Sequence, residues 1–164
     1  MNIKDLVTSF VRSWNFTRQE TLEILESLDN SQLMFTPKGA KWQPLLYQFG
    51  CIGRTQMVYT KAITEGKMDF AWFLAKELPG KLDFTTKKQL FKFLKEADNK
   101  WIEAIRNKRQ NENFVVKWPG FKRNLPNHID ALIAHERLHH GQLISYFTLA
   151  NFELPKNFKT SWAL

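Results

Sequence analysis

The 164-residue sequence predicts an all-α protein, a four-helix bundle with a long structured connection between its third and fourth helices. Three observations carry that prediction. Four long segments repeat apolar residues at helical spacing, none alternates as a half-buried strand does, and Pro-, Gly- and Asn-containing punctuation separates them. At this length we expect one domain over residues 1–164, with a core large enough to take up most of the six Trp and fourteen Phe.

The first helix is predicted from Ile3 to Ser27, with Leu6, Phe10, Val11, Trp14, Phe16, Leu22, Ile24, Leu25 and Leu28 as its apolar stripe, broken by "DNSQL". A loop follows at "MFTPKGAKW". The second helix is predicted to start near Trp42, with Pro44 tolerated in its first turn, and to run to Gly66. Gly50 and Gly53 weaken that helix unless a neighbour packs close to them. Residues 67–84 read as a short helix or capping loop interrupted by Pro79 and Gly80. The third helix opens at "TT", an N-cap signal, and sends Leu90, Phe91, Phe93, Leu94, Trp101, Ile102 and Ile105 toward the core. The link from Lys108 to Asn124 contains "FVVKWPGF", an extended excursion too short to define a sheet. The last helix opens at "LPNH" and ends before Pro155, and the tail is expected to tuck its Trp and Leu back onto the bundle.

The net charge of +8 raises the question of nucleic acid. The lysines of "TKKQLFKFLKEADNKWIEAIRNKRQ" alternate with apolar and acidic residues at helical spacing, which makes them the wet face of an amphipathic helix. No nucleic-acid recognition motif accompanies them. Cys51 is the one cysteine and cannot form an internal disulfide, which fits the cytoplasm. The N-terminus does not read as a signal peptide, and no stretch approaches the roughly 20 apolar residues of a membrane span.

The chemistry concentrates in "HERLHHGQ", residues 135–142. His135 and His139 stand about 40° apart on a helix with Cβ atoms about 6 Å apart, so they can reach one ion. Gln142 returns to nearly the same direction. His128 lies about 10 Å along the axis from His135, too far to share the ion. Glu136 falls about 100° from His135 and His140 about 140°, which turns both away from the pair. We expect Glu136 at the surface, and His128 and His140 as capping, solvent-facing or hydrogen-bonding residues. Equally, His135, His139 and Gln142 can form a buried polar layer with no ion.

The string His-Glu-x-x-His is also the zinc signature of many metalloproteases. A zincin peptidase needs that Glu as general base and a third ligand downstream. After Gly141 there is no further His, and Glu153 is the sole acidic residue. A peptidase is therefore not expected.

The run "HIDALIAHERLHHGQLISYFTLANFELP", preceded by "VKWPG", resembles the closing helix of the DinB/YfiT-like superfamily, and "KWQPLLYQFGCIGRTQ" is similar to its second helix. The resemblance covers essentially the whole chain. It implies an up-down-down-up four-helix bundle, often a homodimer, with a divalent transition metal such as zinc, nickel or iron held by one histidine of the second helix and two of the last. Carried over by position, the ligands are His135, His139 and, in place of the usual second-helix histidine, Gln48. A Gln oxygen ligates transition metals weakly. Cys51, one turn on and about 60° around the helix from Gln48, is an alternative donor, and its bland reading is a small buried residue.

The resemblance implies, first, an enzyme: a hydrolase or low-molecular-weight-thiol transferase acting on a small electrophilic substrate, with a metal activating a water or thiol. A metal-free bundle binding a small ligand or a protein partner, with Gln48 bonded into the histidine layer, is the second reading. A nucleic-acid binder ranks last.

Overall fold

The computed structural model describes residues 3–39 and 42–164; Ala40 and Lys41 of the predicted loop, and Met1 and Asn2, lie outside the described residues. The helices are α1 (Ile3–Ser27), α2 (Asn30–Leu33), α3 (Leu46–Glu65), α4 (Lys87–Lys108), α5 (Leu125–Ala150) and α6 (Lys156–Trp162), with strands β1 (Val115–Trp118) and β2 (Phe121–Asn124). The four long helices form a ring: α1 lies along α5, α5 along α3, α3 along α4, and α4 returns to α1.

Local chemistry sets the boundaries. After α1, Asp29 and Gln32 form a reciprocal capping box that starts the one-turn α2. Thr86 and Gln89 do the same for α4, as the "TT" signal predicts. Asn124 caps α5 through its side chain, with Pro126 in the first turn, and Gly66 and Asn151 end α3 and α5 in the left-handed region at φ 68° and 54°. α3 begins at Leu46 rather than near Trp42. The chain at Leu45 is instead bonded back to the carbonyl of Phe35 at 2.9 Å, and Trp42 packs edge-on against Tyr146.

The excursion at "FVVKWPGF" is a two-stranded antiparallel sheet, not the sheetless segment the sequence suggests. Trp118 pairs with Phe121 across a Pro119–Gly120 turn in which Gly120 takes φ 84°. The hairpin is held from outside: Lys117 exchanges backbone hydrogen bonds with Gly66 and Met68, just past α3. Stacking of Trp118 on Phe121 and its edge-on contact with Tyr59 add to this. In the tail, Phe158 is buried and Trp162 stacks on it, whereas Leu164 stays exposed.

The core has two apolar halves. One gathers Ile24, Leu25, Phe49, Leu94, Phe147 and their neighbours; the other gathers Trp14, Val58, Trp101, Ile129, Leu132 and theirs. Between them lies a buried polar layer drawn from all four long helices. Arg18 of α1 is 3% exposed. Its guanidinium pairs with Asp98 of α4 at 3.1 Å and Glu136 of α5 at 3.3 Å, and donates to Gln56 Oε1 of α3 at 2.6 Å. Gln56 in turn donates to Asp98 at 3.0 Å. This layer displaces part of the predicted stripe: Phe16 is 52% exposed, and Thr17, Arg18 and Thr21 take the inward positions.

Burial raises the pKa of both Asp98 and Glu136 against the opposing pull of Arg18. Removing the cation strands two carboxylates in the interior. Arg18→Met is therefore expected to lower unfolding stability by about 3–5 kcal/mol. Adding Glu136→Leu is expected to restore part of it, both read from urea denaturation midpoints.

Candidate metal site

α3 and α5 face each other along one seam, and this places Gln48, Cys51 and Thr55, on successive turns of α3, opposite His135 and His139. Gly53 lets α3 approach closely, because a Cβ there would collide with the Phe93 ring of α4. Cys51, His135 and His139 each offer a ligand atom, and these atoms all lie within 4.8 Å of one another. The two imidazole centroids are 4.6 Å apart with their planes at 68°. Cys51 is buried, as its bland reading has it, but beside the histidines rather than among apolar side chains alone.

Gln48 meets His139 directly. Its Oε1 lies 2.6 Å from His139 Nδ1. An amide oxygen only accepts, so Nδ1 carries the proton and Nε2 the lone pair. The Gln48 amide is aligned in turn by Tyr146, whose hydroxyl receives Gln48 Nε2 at 3.4 Å and donates to the Gln43 carbonyl at 2.6 Å. On the other imidazole, His135 Nε2 is 3.2 Å from Thr55 Oγ1, and Nδ1 is buried with no partner among the described residues. Gln142 is exposed, off the inward stripe expected of it, yet its side chain hydrogen-bonds His139.

Burial pushes the pKa of His135 down to about 4, with the charge of Lys81 adding to it. Burial and then His135 push His139 down to about 3, against the side-chain oxygen of Gln142, which favours the protonated ring. Both rings are therefore neutral near pH 7, the form that ligates metals.

Lys81 enters from the connection between α3 and α4. Its Nζ donates to the Tyr47 hydroxyl at 3.0 Å and lies beside the Cys51 side chain. Burial works against its charge, but these two partners outweigh burial and its pKa rises. Two residues of α3 hold the connection in place. A Cβ at Gly50 would collide with the Lys81 carbonyl, so only glycine lets the chain lie down there. Arg54, buried, donates to the carbonyls of Phe73, Ala75, Leu78 and Pro79 at 2.6–3.2 Å.

The remaining histidines and Glu136 lie elsewhere, and all three are buried, which corrects the surface expectation for Glu136 and leaves His128 and His140 as hydrogen-bonding residues. Glu136 is 0% exposed and turned toward α1, where Thr21 donates to it at 2.5 Å. It points away from the histidine pair, as the helical arithmetic predicts, and cannot serve as their general base. His140 Nε2 lies 2.7 Å from Thr21 Oγ1 and the ring packs on Phe158 and Trp162. His128 Nε2 donates to the Tyr59 carbonyl at 3.0 Å amid Tyr59, Trp101 and Trp118.

Sequence reasoning passed over Tyr47, Thr55, Lys81 and Tyr146. Thr55 carries a signal, standing four residues after Cys51 on the same helix face. Lys81 carries none, because a bent connection of irregular backbone brings it in.

A thiolate and two neutral imidazoles are the donor set that zinc and its neighbours favour, and three protein donors leave coordination positions open. The residues present therefore fit a transition-metal ion.

A family model described as the DinB superfamily matches residues 13–143. Among solved structures, the chain is similar to a DinB-like protein from Bacillus cereus ATCC 10987, with 17% identity and a TM-score of 0.70. That match covers 89% of this chain and 93% of the other, and at this identity it speaks for the fold alone. No curated protein matches the sequence. No helix among the described residues is long and apolar enough to cross a membrane.

The histidine pKa values, about 4 and about 3 against an ordinary 6.5, fix a pH response. The metal-free fold holds the full contribution of His135 and His139 above about pH 6.5 and loses it as pH falls through 4 toward 3, because the unfolded chain takes up those protons first. Thermal melts from pH 7 to pH 4 are expected to show a smaller loss of Tm in the His135→Asn, His139→Asn double variant than in the parent.

Proposed function

The chain belongs to the DinB superfamily, and on that footing we propose that Cys51, His135 and His139 hold a divalent transition-metal ion, zinc, nickel or iron, in a metal-dependent enzyme. The observation that carries this reading is the convergence of the three donors within 4.8 Å across α3 and α5. Gln48 is assigned a supporting place rather than a ligand's: by accepting the Nδ1 proton of His139 it fixes the ring and turns the Nε2 lone pair toward the ion. Thr55 steadies His135 in the same way, and Gln142 stands behind His139 from the solvent side.

When bound, the ion supplies Lewis-acid activation of a water or a low-molecular-weight thiol for attack on a small electrophile, which makes the protein a hydrolase or a thiol transferase. The protein's own contribution is to keep both imidazoles neutral by burial, to orient them, and to place the Lys81 ammonium beside the Cys51 sulfur. We place the protein in the cytoplasm, where the Cys51 thiol stays reduced. We also propose a homodimer, for which the exposed Leu138 and Leu149 on α5 offer apolar surface to cover.

A second reading draws on the 2.6 Å contact between Gln48 and His139: a metal-free bundle in which Gln48, His139 and Tyr146 form a satisfied polar layer, binding a small ligand or a protein partner. The two differ in metal content. Protein purified without chelator is expected to carry about one ion per chain by mass spectrometry, lost in the His135→Ala, His139→Ala double variant and in Cys51→Ala. Gln48→Leu is expected to weaken binding by about 10- to 100-fold without abolishing it. A parent as metal-free as its double variant, with binding created by Gln48→His, would favour the second reading. Light scattering checks the dimer, with an expected mass near twice 19.4 kDa.

A further inference from the structure

The connection over residues 67–84 forms an open cavity of about 540 Å³ with α3. Its walls are apolar at Phe73, Leu78 and Leu82, and its charged groups are Arg54, Lys76, Lys81 and Asp83. Two of these are already committed. Arg54 is spent on four backbone carbonyls, and the Asp83 carboxylate accepts from the Gly80 amide at 2.5 Å. The lysines are left as the available charge, Lys76 at the exposed rim and Lys81 inside.

Lys81 belongs to the cavity and to the ligand cluster at once. An ammonium has three N–H groups. Tyr47 takes one of them and Cys51 lies beside the ammonium, which leaves an N–H for a guest. Tyr47 also lines the cavity and carries the ammonium 5.1 Å above its ring, so the cation is fixed in position. With Lys76 out at the exposed rim, the one point charge set among the apolar walls is Lys81, which suits a monoanionic carboxylate; phosphate recognition draws on several donors or a guanidinium fork.

We propose that this cavity admits a small substrate bearing a carboxylate, which Lys81 reads, so that the rest of the molecule is delivered to Cys51, His135 and His139. The inference rests on the proposed metal centre and names the substrate class for it. Lys81 acts here as a specificity-determining residue.

The test uses the full-length protein reconstituted with cobalt(II), whose visible bands report both metal uptake and entry of a sulfur donor. Cobalt uptake is read first, without any probe. Two probes of equal length follow, 3-mercaptopropionate and 3-mercapto-1-propanol, which differ only in carboxylate against hydroxyl. The parent is expected to bind the carboxylate about tenfold more tightly. Lys81→Met is expected to erase that preference, the carboxylate losing about tenfold in affinity relative to the alcohol, and Lys81→Arg to retain most of it. Equal affinity of the parent for both probes, or an equal loss for both in Lys81→Met, overturns the proposal and leaves the metal centre standing. Failure of the parent to take up cobalt overturns the metal centre, and the substrate assignment with it.

Discussion

Arg18 sits between a carboxylate of α4 and a carboxylate of α5, with an amide of α3 closing the arrangement. Taking a guanidinium out of water costs several kcal/mol unless its partners are in place, so the four helices are bound to one rotational setting. The consequence for the site is direct. Glu136 and His135 are adjacent on α5, and a turn of that helix that served one at another angle would swing the other by the same amount. Pairing Glu136 with α1 is therefore what aims His135 and His139 at α3. The apolar halves above and below are more permissive, since hydrophobic contact tolerates rotation that an ion pair does not.

This places the string His-Glu-x-x-His in a different light. In a zincin the Glu serves the metal. Here it serves the fold, and the same five residues face two different helices, Glu136 toward α1 and the histidine pair toward α3. Thr21 extends the structural half: its one hydroxyl proton goes to Glu136, so the His140 Nε2 at 2.7 Å supplies the proton of their mutual bond.

Periodicity made the bundle legible, because Ile24, Leu90, Trp101 and Leu132 recur where a 3.6-residue turn requires and the caps at Thr86 and Asn124 mark the starts. The histidine pair was legible for the same reason. The polar layer was not, since an apolar stripe search credits Phe16 and passes over Thr17, Arg18 and Thr21, whose burial depends on partners more than a hundred residues away for Glu136. Gln48 was legible as a position but not as a role, because a side chain at a ligand's place can equally accept a ligand's proton, and only a distance tells the two apart. The hairpin was missed because its stability comes from Gly66, Met68 and Tyr59 rather than from its own eight strand residues.

Arg54 grips the connection over residues 67–84 through four main-chain oxygens and no side chain of that segment. An anchor that recognises only backbone is indifferent to what the segment carries outward. The exposed side chains at positions 74, 76 and 82 can therefore be exchanged without unfastening the segment, whereas Phe73 and Leu78 also pack on the apolar core. The rim of the segment and its attachment to α3 are chemically independent, and a few exposed loop positions can be rewritten while Cys51, His135 and His139 behind them stay as they are.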